Sequence, residues 1–392
     1  MAMIQPFKAL RPQPQLAKQV ASQPYDVLSS TEAKKEAAGN PASFLHVTKS
    51  EIDLPESVDI HDALVYAQAK ENITAFIKRD LLFRESKECY YMYQLIMHGR
   101  AQTGLVCVSS VDDYENGIIK KHEFTRPEKE LDRINHIKTS GAQTGNVFLA
   151  YRNNESLDTL IENWKKTKSA VYDFVADDEI QHTIWVVNDT STIDNITAIF
   201  NNEIPCTYIA DGHHRAASAA KVRAALGANA TKNADYFLTT LFPSNQLYIM
   251  DYNRVVKDLN GLTNEAFIEA VSTKFDIEQL AKEPFSPSVL HEFGMYINGC
   301  WYQLTAKAGS FTEDPIGILD VTILQNNILD AILGISDPRT DVRVDFVGGI
   351  RGLQVLADRV DSGQFAAGFS LYAVTTDQLF SIADSGNVMP PK

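Results

Sequence analysis

The chain has 392 residues, 44% of them apolar, enough to bury two domains or a large one with a second lobe. Its 36 basic and 50 acidic residues give a net charge of −14, which opposes nonspecific nucleic-acid binding, so an anionic substrate would need a local basic cleft. Cys89, Cys107, Cys206 and Cys300 are far apart and form no CxxC pair, which argues against a zinc knuckle or disulfide framework and fits reduced thiols in a cytoplasmic protein.

The opening "MAMIQPFKALRPQPQ" lacks the apolar run of a signal peptide, and no apolar stretch approaches a membrane span. "SSTEAKKEAAGN" predicts a short helix capped near Ser30 and ended by Gly39-Asn40-Pro41. "SFLHVTK" reads as a strand. Residues 59–82 predict a helix with Ala63, Leu64, Ala67, Ile73, Phe76 and Ile77 at helical spacing. "CYYMYQLIMHG" and "AQTGLVCVSSV" predict a strand pair turning at "HGRAQ". "GIIKKHEF" is a third strand, followed by a helix from Arg126. "NVFLAYR", "VYDFVAD", "IQHTIWVVN", "IPCTYIAD" and "DYFLTTLFP" are further strands, and "LYIMDYNRVV" closes this region.

Beyond Asn253 a second α/β lobe is predicted. It contains a helix at "TNEAFIEAVSTKF", a hairpin at "FGMYINGCWYQLTA" turning at Asn298-Gly299, and a helix at "DVTILQNNILDAIL". A strand at "RVDFVGG", a helix ended by Gly363 and a strand at "AAGFSLYAV" complete it. The expected fold class is α/β with a mixed sheet, divided into residues 1–252 and 253–392.

Three clusters carry chemistry. In "YIADGHHRAAS", Asp211 stands where an N-cap would be, and Gly227 where a C-cap would be. Ala216, Ala219 and Ala220 form a small face suited to close packing on a sheet. Gly212 lets backbone approach a ligand, first-turn amides and the macrodipole favour an anion, and Arg215 can add a forked donor. His213 and His214 point about 100° apart on a helix, so one would assist phosphate binding. A merely capped helix explains Asp211 but not His-His-Arg in its first turn, where positive charge opposes the dipole. Adjacent histidines lack the spacing of two metal ligands on one helical face.

In "KKHEFTRPEKELDRINHIK", Thr125 and Glu128 predict a capping box, with Pro127 in the first turn. Leu131, Ile134 and Ile137 would face the core, and Asp132 and His136 would share another face. Lys121, His122 and Glu123 lie at a strand end, where α/β sheets bind ligands. Glu123 could serve as general base, and Lys121 or Arg126 could meet phosphate, although charged strand ends are usually just solvated. In "QPYDVLS", Tyr25 and Asp26 read as a turn with Asp26 bonded to nearby backbone.

"PYDV", "KHEFTRPEKELDR", "ADGHHR" and "MPPK", in this order, resemble the domain of unknown function 1015 family across essentially the whole chain. The central part is similar to the ParB/sulfiredoxin-like superfamily, which includes free-serine kinases. That resemblance implies a ParB/sulfiredoxin-like N-terminal and central domain and a loop-plus-helix grip on nucleotide phosphates. It implies Glu123 as the essential glutamate with His122 beside it. Asp211, Gly212, His213, His214 and Arg215 match the phosphate segment, joined by Lys121 and Arg126, and Tyr25, Asp26, Arg133 and His136 fall to the substrate. The implied cofactors are ATP or ADP with Mg²⁺, held through the nucleotide and by Asp211 as an outer ligand rather than by a protein metal site. Relatives often carry arginine before His-Glu. Here Lys121 keeps the charge without the bidentate grip. They usually also continue past MPPK, so this chain is either truncated or a short member.

The resulting expectation is a nucleotide-dependent small-molecule kinase transferring a phosphoryl group to a hydroxyl, with serine as the acceptor the resemblance suggests. A non-catalytic nucleotide-binding regulator of ParB-like type is one alternative, although no basic recognition helix is evident. Sulfiredoxin-like repair would need a cysteine where histidines stand. A metal-dependent hydrolase would need His122, His136, His213 and His214 to converge with Asp211. The expected partners are nucleotide and a small substrate, without nucleic acid or membrane, and the C-terminal lobe would close a cleft or mediate a homodimer.

Overall fold

Stretches rich in β-branched and aromatic residues build a nine-stranded mixed sheet in the first part of the chain. The computed structural model describes residues 1–280 and 283–390. The "MPPK" end therefore lies partly outside the described residues. The chain divides into two compact units, Met1–Leu247 and Tyr248–Lys392.

The strands of the first unit are β1 (Ile4–Gln5), β2 (Leu10–Pro12), β3 (Leu82–Arg84), β4 (Tyr90–Met97), β5 (Arg100–Ser110), β6 (Ile119–Lys120), β7 (Val147–Tyr151), β8 (Tyr172–Val175), β9 (Gln181–Val187), β10 (Thr207–Asp211) and β11 (Tyr236–Pro243). The large sheet runs β6-β10-β7-β11-β5-β4-β9-β8, with β1 added to β5, while β2 and β3 pair separately. β10 is parallel to β6 and antiparallel to β7. The turn from β4 to β5 uses His98 and Gly99 at φ +50 and +78, the left-handed pair such a tight hairpin requires.

Three helices of this unit frame the site: α1 (Ala63–Lys78), α2 (Pro127–Ser140) and α3 (His213–Leu226). α3 lays Ala216, Ala219 and Ala220 into the core beside Val147, Leu149 and Ile209, so the small face does bring the helix close to the sheet. α1 buries Val65, Tyr66, Ala69, Ile73 and Phe76. Ala63, Leu64, Ala67 and Ile77, assigned to that face from spacing, are exposed, because the buried stripe is rotated around the helix.

Other local expectations also shift. "SFLHVTK" contains a short helix, Leu45–Thr48, not a strand; it buries Leu45, Val47 and Thr48. The predicted strand "GIIKKHEF" shrinks to β6, leaving Lys121–Arg126 as loop. In α2 the N-cap is Arg126, and no side chain caps the helix, so the Thr125–Glu128 box does not form. Pro127 at the start of the helix moves the boundary past Thr125. Leu131 is exposed, whereas the polar Glu130 and His136 are buried, so this helix turns a polar edge inward. The Ser29–Glu32 box does form, one residue before the expected Ser30.

The second unit holds a six-stranded sheet in the order β13-β15-β14-β17-β12-β16. Its strands are β12 (Tyr252–Val256), β13 (Phe275–Gln279), β14 (Glu292–Ile297), β15 (Cys300–Ala306), β16 (Val344–Gly348) and β17 (Ala367–Leu371). β12 pairs with β16 and β17. "DYNRVV", read from sequence as the close of the first region, therefore opens the second. β14 and β15 form the predicted hairpin, with Asn298 and Gly299 at φ +49 and +75. Each unit combines helices with a sheet, so the fold class is α/β with a large mixed sheet. Among the described residues, no helix is long and apolar enough to cross a membrane.

Candidate active site

The parallel pairing of β6 with β10 sets Thr207 beside Ile119 and Tyr208 beside Lys120, so both strands end at the same sheet edge. The 121–126 loop and the start of α3 consequently leave the sheet together, at the carboxyl ends where α/β proteins place ligands.

Gly212 caps α3 at φ +92. A Cβ there would stand 3.3 Å from both Cζ of Arg215 and Cα of Val147, so backbone crowding and a left-handed conformation both require glycine. Asp211 is not the N-cap; it is the last residue of β10, and its Oδ2 accepts from Nη2 of Arg215 at 2.6 Å. The N-cap of α3 is Gly212, which has no side chain to cap the first-turn amides.

The two histidines of the motif diverge, as their spacing predicts. His213 is buried, with Nδ1 at 3.8 Å from Oε2 of Glu123. Its ring meets that of buried His122 edge to face, centroids 4.6 Å apart, and the His122 amide points at its Nε2 from 3.5 Å. One donor atom from each of His122, Glu123 and His213 lies within 4.8 Å of the others. His214 turns the other way, and its Nε2 accepts from the Arg126 amide at 2.9 Å. Burial, and then Lys129, lowers the His214 pKa, in keeping with an imidazole that accepts a hydrogen bond. Lys121 and Arg126 have exposed side chains at this edge, with the Lys121 ammonium 4.1 Å from the Tyr114 ring centre.

Arg215 does not stand free. Its guanidinium donates to Asp26 at 3.0 Å, to Asp211 and to the Asn146 carbonyl. The first two charges keep it firmly protonated against burial, which acts in the opposite sense. Asp26, expected to bond nearby backbone, instead reaches across to α3. Tyr25 lies between Arg133, 3.9 Å from its ring centre, and Arg215 at 5.9 Å, and burial raises its phenol pKa. Arg133 is paired by Asp132 at 2.6 Å, and Asp132 also accepts from Tyr66 at 2.9 Å. Nε2 of buried His136 is bonded to the Val47 carbonyl at 3.0 Å, and burial, then Arg133, depresses its pKa.

Tyr25, Arg133, His136 and Arg215 line one recess together with Gln143, Thr144 and Gly145. Three of the four substrate-class residues read from sequence thus share a pocket, and Asp26 borders it through Arg215. The sequence reading missed the 143–146 loop. A Cβ on Gly145 would stand 3.3 Å from Cδ of Arg215, so its glycine leaves room for that side chain, and the run "SGAQTGN" was the visible signal. Cys206 precedes β10, is only half-buried, and has its Sγ 3.4 Å from the Tyr208 hydroxyl. His136 and His214 bond elsewhere, so the four-histidine cluster with Asp211 does not assemble.

Among curated proteins, none matches the chain. Solved structures with similarity include free serine kinase in complex with AMP, at 12% identity and TM-score 0.33, covering 74% of this chain and 85% of that one. SbnI with a C-terminal truncation from Staphylococcus aureus shows 11% identity and TM-score 0.34, over 73% and 79%. A conserved hypothetical protein from Pyrococcus furiosus shows 13% identity and TM-score 0.30, over 74% and 88%. The family model described as "Protein of unknown function (DUF1015)" matches residues 4–322, and the chain belongs to that family.

Proposed function

We propose that this protein is a nucleotide-dependent phosphotransferase acting on the hydroxyl of a small metabolite, with ATP or ADP as donor, Mg²⁺ as its counter-ion and free serine as the acceptor suggested by the family resemblance. The observation that carries the reading is the approach of Glu123 to the mouth of α3, its carboxylate 3.8 Å from His213. A base then stands beside a helix end whose dipole favours an anion.

The residues present fit a phosphate group. The start of α3 is capped by a glycine, which adds no side chain there, and the helix dipole favours negative charge. Exposed Lys121 and Arg126 add cations at the same edge. When bound, the nucleotide supplies the phosphoryl group and Mg²⁺ screens its charge. Glu123 has a side chain 45% exposed, open to an incoming hydroxyl, and takes its proton. His213 orients that carboxylate. Arg215, shared among two carboxylates and a carbonyl, holds the Tyr25–Asp26 turn against the helix mouth. Tyr25 and Arg133 offer a ring face and a charge to the acceptor.

Incubation with ATP or ADP, magnesium and a panel of hydroxyl metabolites including serine tests this. The reading expects nucleotide turnover that depends on one acceptor and is lost in Glu123→Gln. Absence of turnover by the intact protein with every donor and acceptor would remove it.

A further inference from the structure

We infer that His122, Glu123 and His213 form a binding site for a divalent first-row transition-metal ion. Two imidazoles and one carboxylate bring donor atoms within 4.8 Å of one another, from a loop and a helix that the β6–β10 pairing sets side by side. Ligands bound at about 2.0–2.2 Å stand roughly 3.3–3.6 Å apart in a tetrahedron and about 2.8–3.1 Å apart as octahedral neighbours. The 3.8 Å between His213 and Glu123 is a few tenths of an ångström longer than the tetrahedral spacing. Rotation of the half-exposed Glu123 side chain closes the remaining gap, while the two buried rings stay where the fold sets them.

The donor set selects the ion. Mg²⁺ and Ca²⁺ prefer all-oxygen surroundings, whereas two nitrogens and one oxygen suit Zn²⁺, Co²⁺, Fe²⁺ or Mn²⁺. Three protein ligands leave positions for solvent or a substrate oxygen, the arrangement of a reactive rather than a structural site. His136 and His214 take no part, since each is bonded elsewhere at 3.0 and 2.9 Å.

This inference does not rest on the phosphotransfer reading, although both use Glu123 and His213. With the ion bound, Glu123 is a ligand; without it, Glu123 remains a base. The full chain, stripped with a chelator and free of nucleotide, is titrated with Zn²⁺ by calorimetry and with Co²⁺ by visible absorption. One equivalent of Zn²⁺ per chain is expected, with Co²⁺ ligand-field bands of a four- or five-coordinate ion. Glu123→Gln and His122→Ala should each weaken binding by more than the roughly 10–100-fold that loss of a supporting second-shell group costs. His214→Gln should bind as the parent does. If circular dichroism shows that His122→Ala does not fold, the exposed change Glu123→Gln decides alone. No stoichiometric binding, binding that survives Glu123→Gln, or equal loss in His214→Gln would overturn the inference. Nucleotide turnover by the stripped protein with Mg²⁺ is scored separately, so each reading can fail without the other.

Discussion

Asp26 and Arg215 meet at 3.0 Å, tying the amino-terminal Tyr-Asp turn to the first turn of α3. Arg215 is mostly buried and Asp26 partly exposed, so the pair is more than a surface contact but remains partly screened. Asp26→Ala should cost about 1 kcal/mol in denaturant unfolding of the first unit, with Asp211 and Asn146 still holding the guanidinium. An unchanged midpoint would show that the turn is not anchored this way.

Gly212→Ala carries a double penalty. Its φ of +92 is strained for any side chain, and the added methyl would press on the Val147 backbone. A loss of about 1–3 kcal/mol is expected, together with displacement of Arg215. Thermal unfolding of the variant checks the first, and a crystal structure the second. A stability equal to the parent's would contradict the account of this junction.

Exposed cations at the helix mouth predict a different pattern. Arg126→Ala should leave unfolding unchanged, because the bond to His214 uses the backbone amide and not the guanidinium. Its affinity for ADP should fall about 5–10-fold, the worth of roughly 1 kcal/mol of screened charge, and the deficit should shrink as salt rises. Calorimetry at two salt concentrations reads this. Equal affinities would place the phosphates elsewhere.

The second unit contains a carboxyl that predicts pH-dependent stability. Burial, with a smaller push from Glu292, raises the Asp320 pKa to about 7, against a lowering bond from the His291 amide. Its Oδ2 has no hydrogen-bond partner among the described residues. In an unfolded chain an aspartate titrates near about 3.9. The folded protein therefore holds a proton that the unfolded chain has lost, and stability falls as pH rises from about 4 through 7. The penalty above pH 7 is on the order of a few kcal/mol, and Asp320→Asn should remove most of the slope. Unfolding of both proteins at pH 5 and pH 8 checks the sign. A parent protein more stable at pH 8, with no change in slope on substitution, would contradict it.

Much of the fold is legible in the sequence because it is locally encoded. Strand composition marks β4, β5, β7 and β9–β11, alanine spacing marks the buried face of α3, and Asn298-Gly299 marks its hairpin. Failures arise where two local signals compete. Phe44, Val47 and Thr48 look strand-like, yet the segment forms one helical turn whose apolar side chains are buried. Thr125 and Glu128 match a capping box, yet Pro127 fixes the start of α2 beyond Thr125. The candidate site is legible as separate motifs but not as contacts. Asp26 lies 189 residues from Arg215, and His122 lies 91 from His213, so tertiary packing, including the β6–β10 pairing beside His122 and His213, brings such groups together.

The most direct test of the central claim is phosphoryl transfer itself, measured with labelled ATP or ADP, Mg²⁺ and hydroxyl acceptors on the intact chain and on Glu123→Gln. The account predicts acceptor-dependent transfer by the intact chain. It also predicts a loss of about 10²–10⁴-fold in the variant, the usual contribution of a positioned base, with nucleotide affinity retained. Transfer at the parent rate in Glu123→Gln would contradict it.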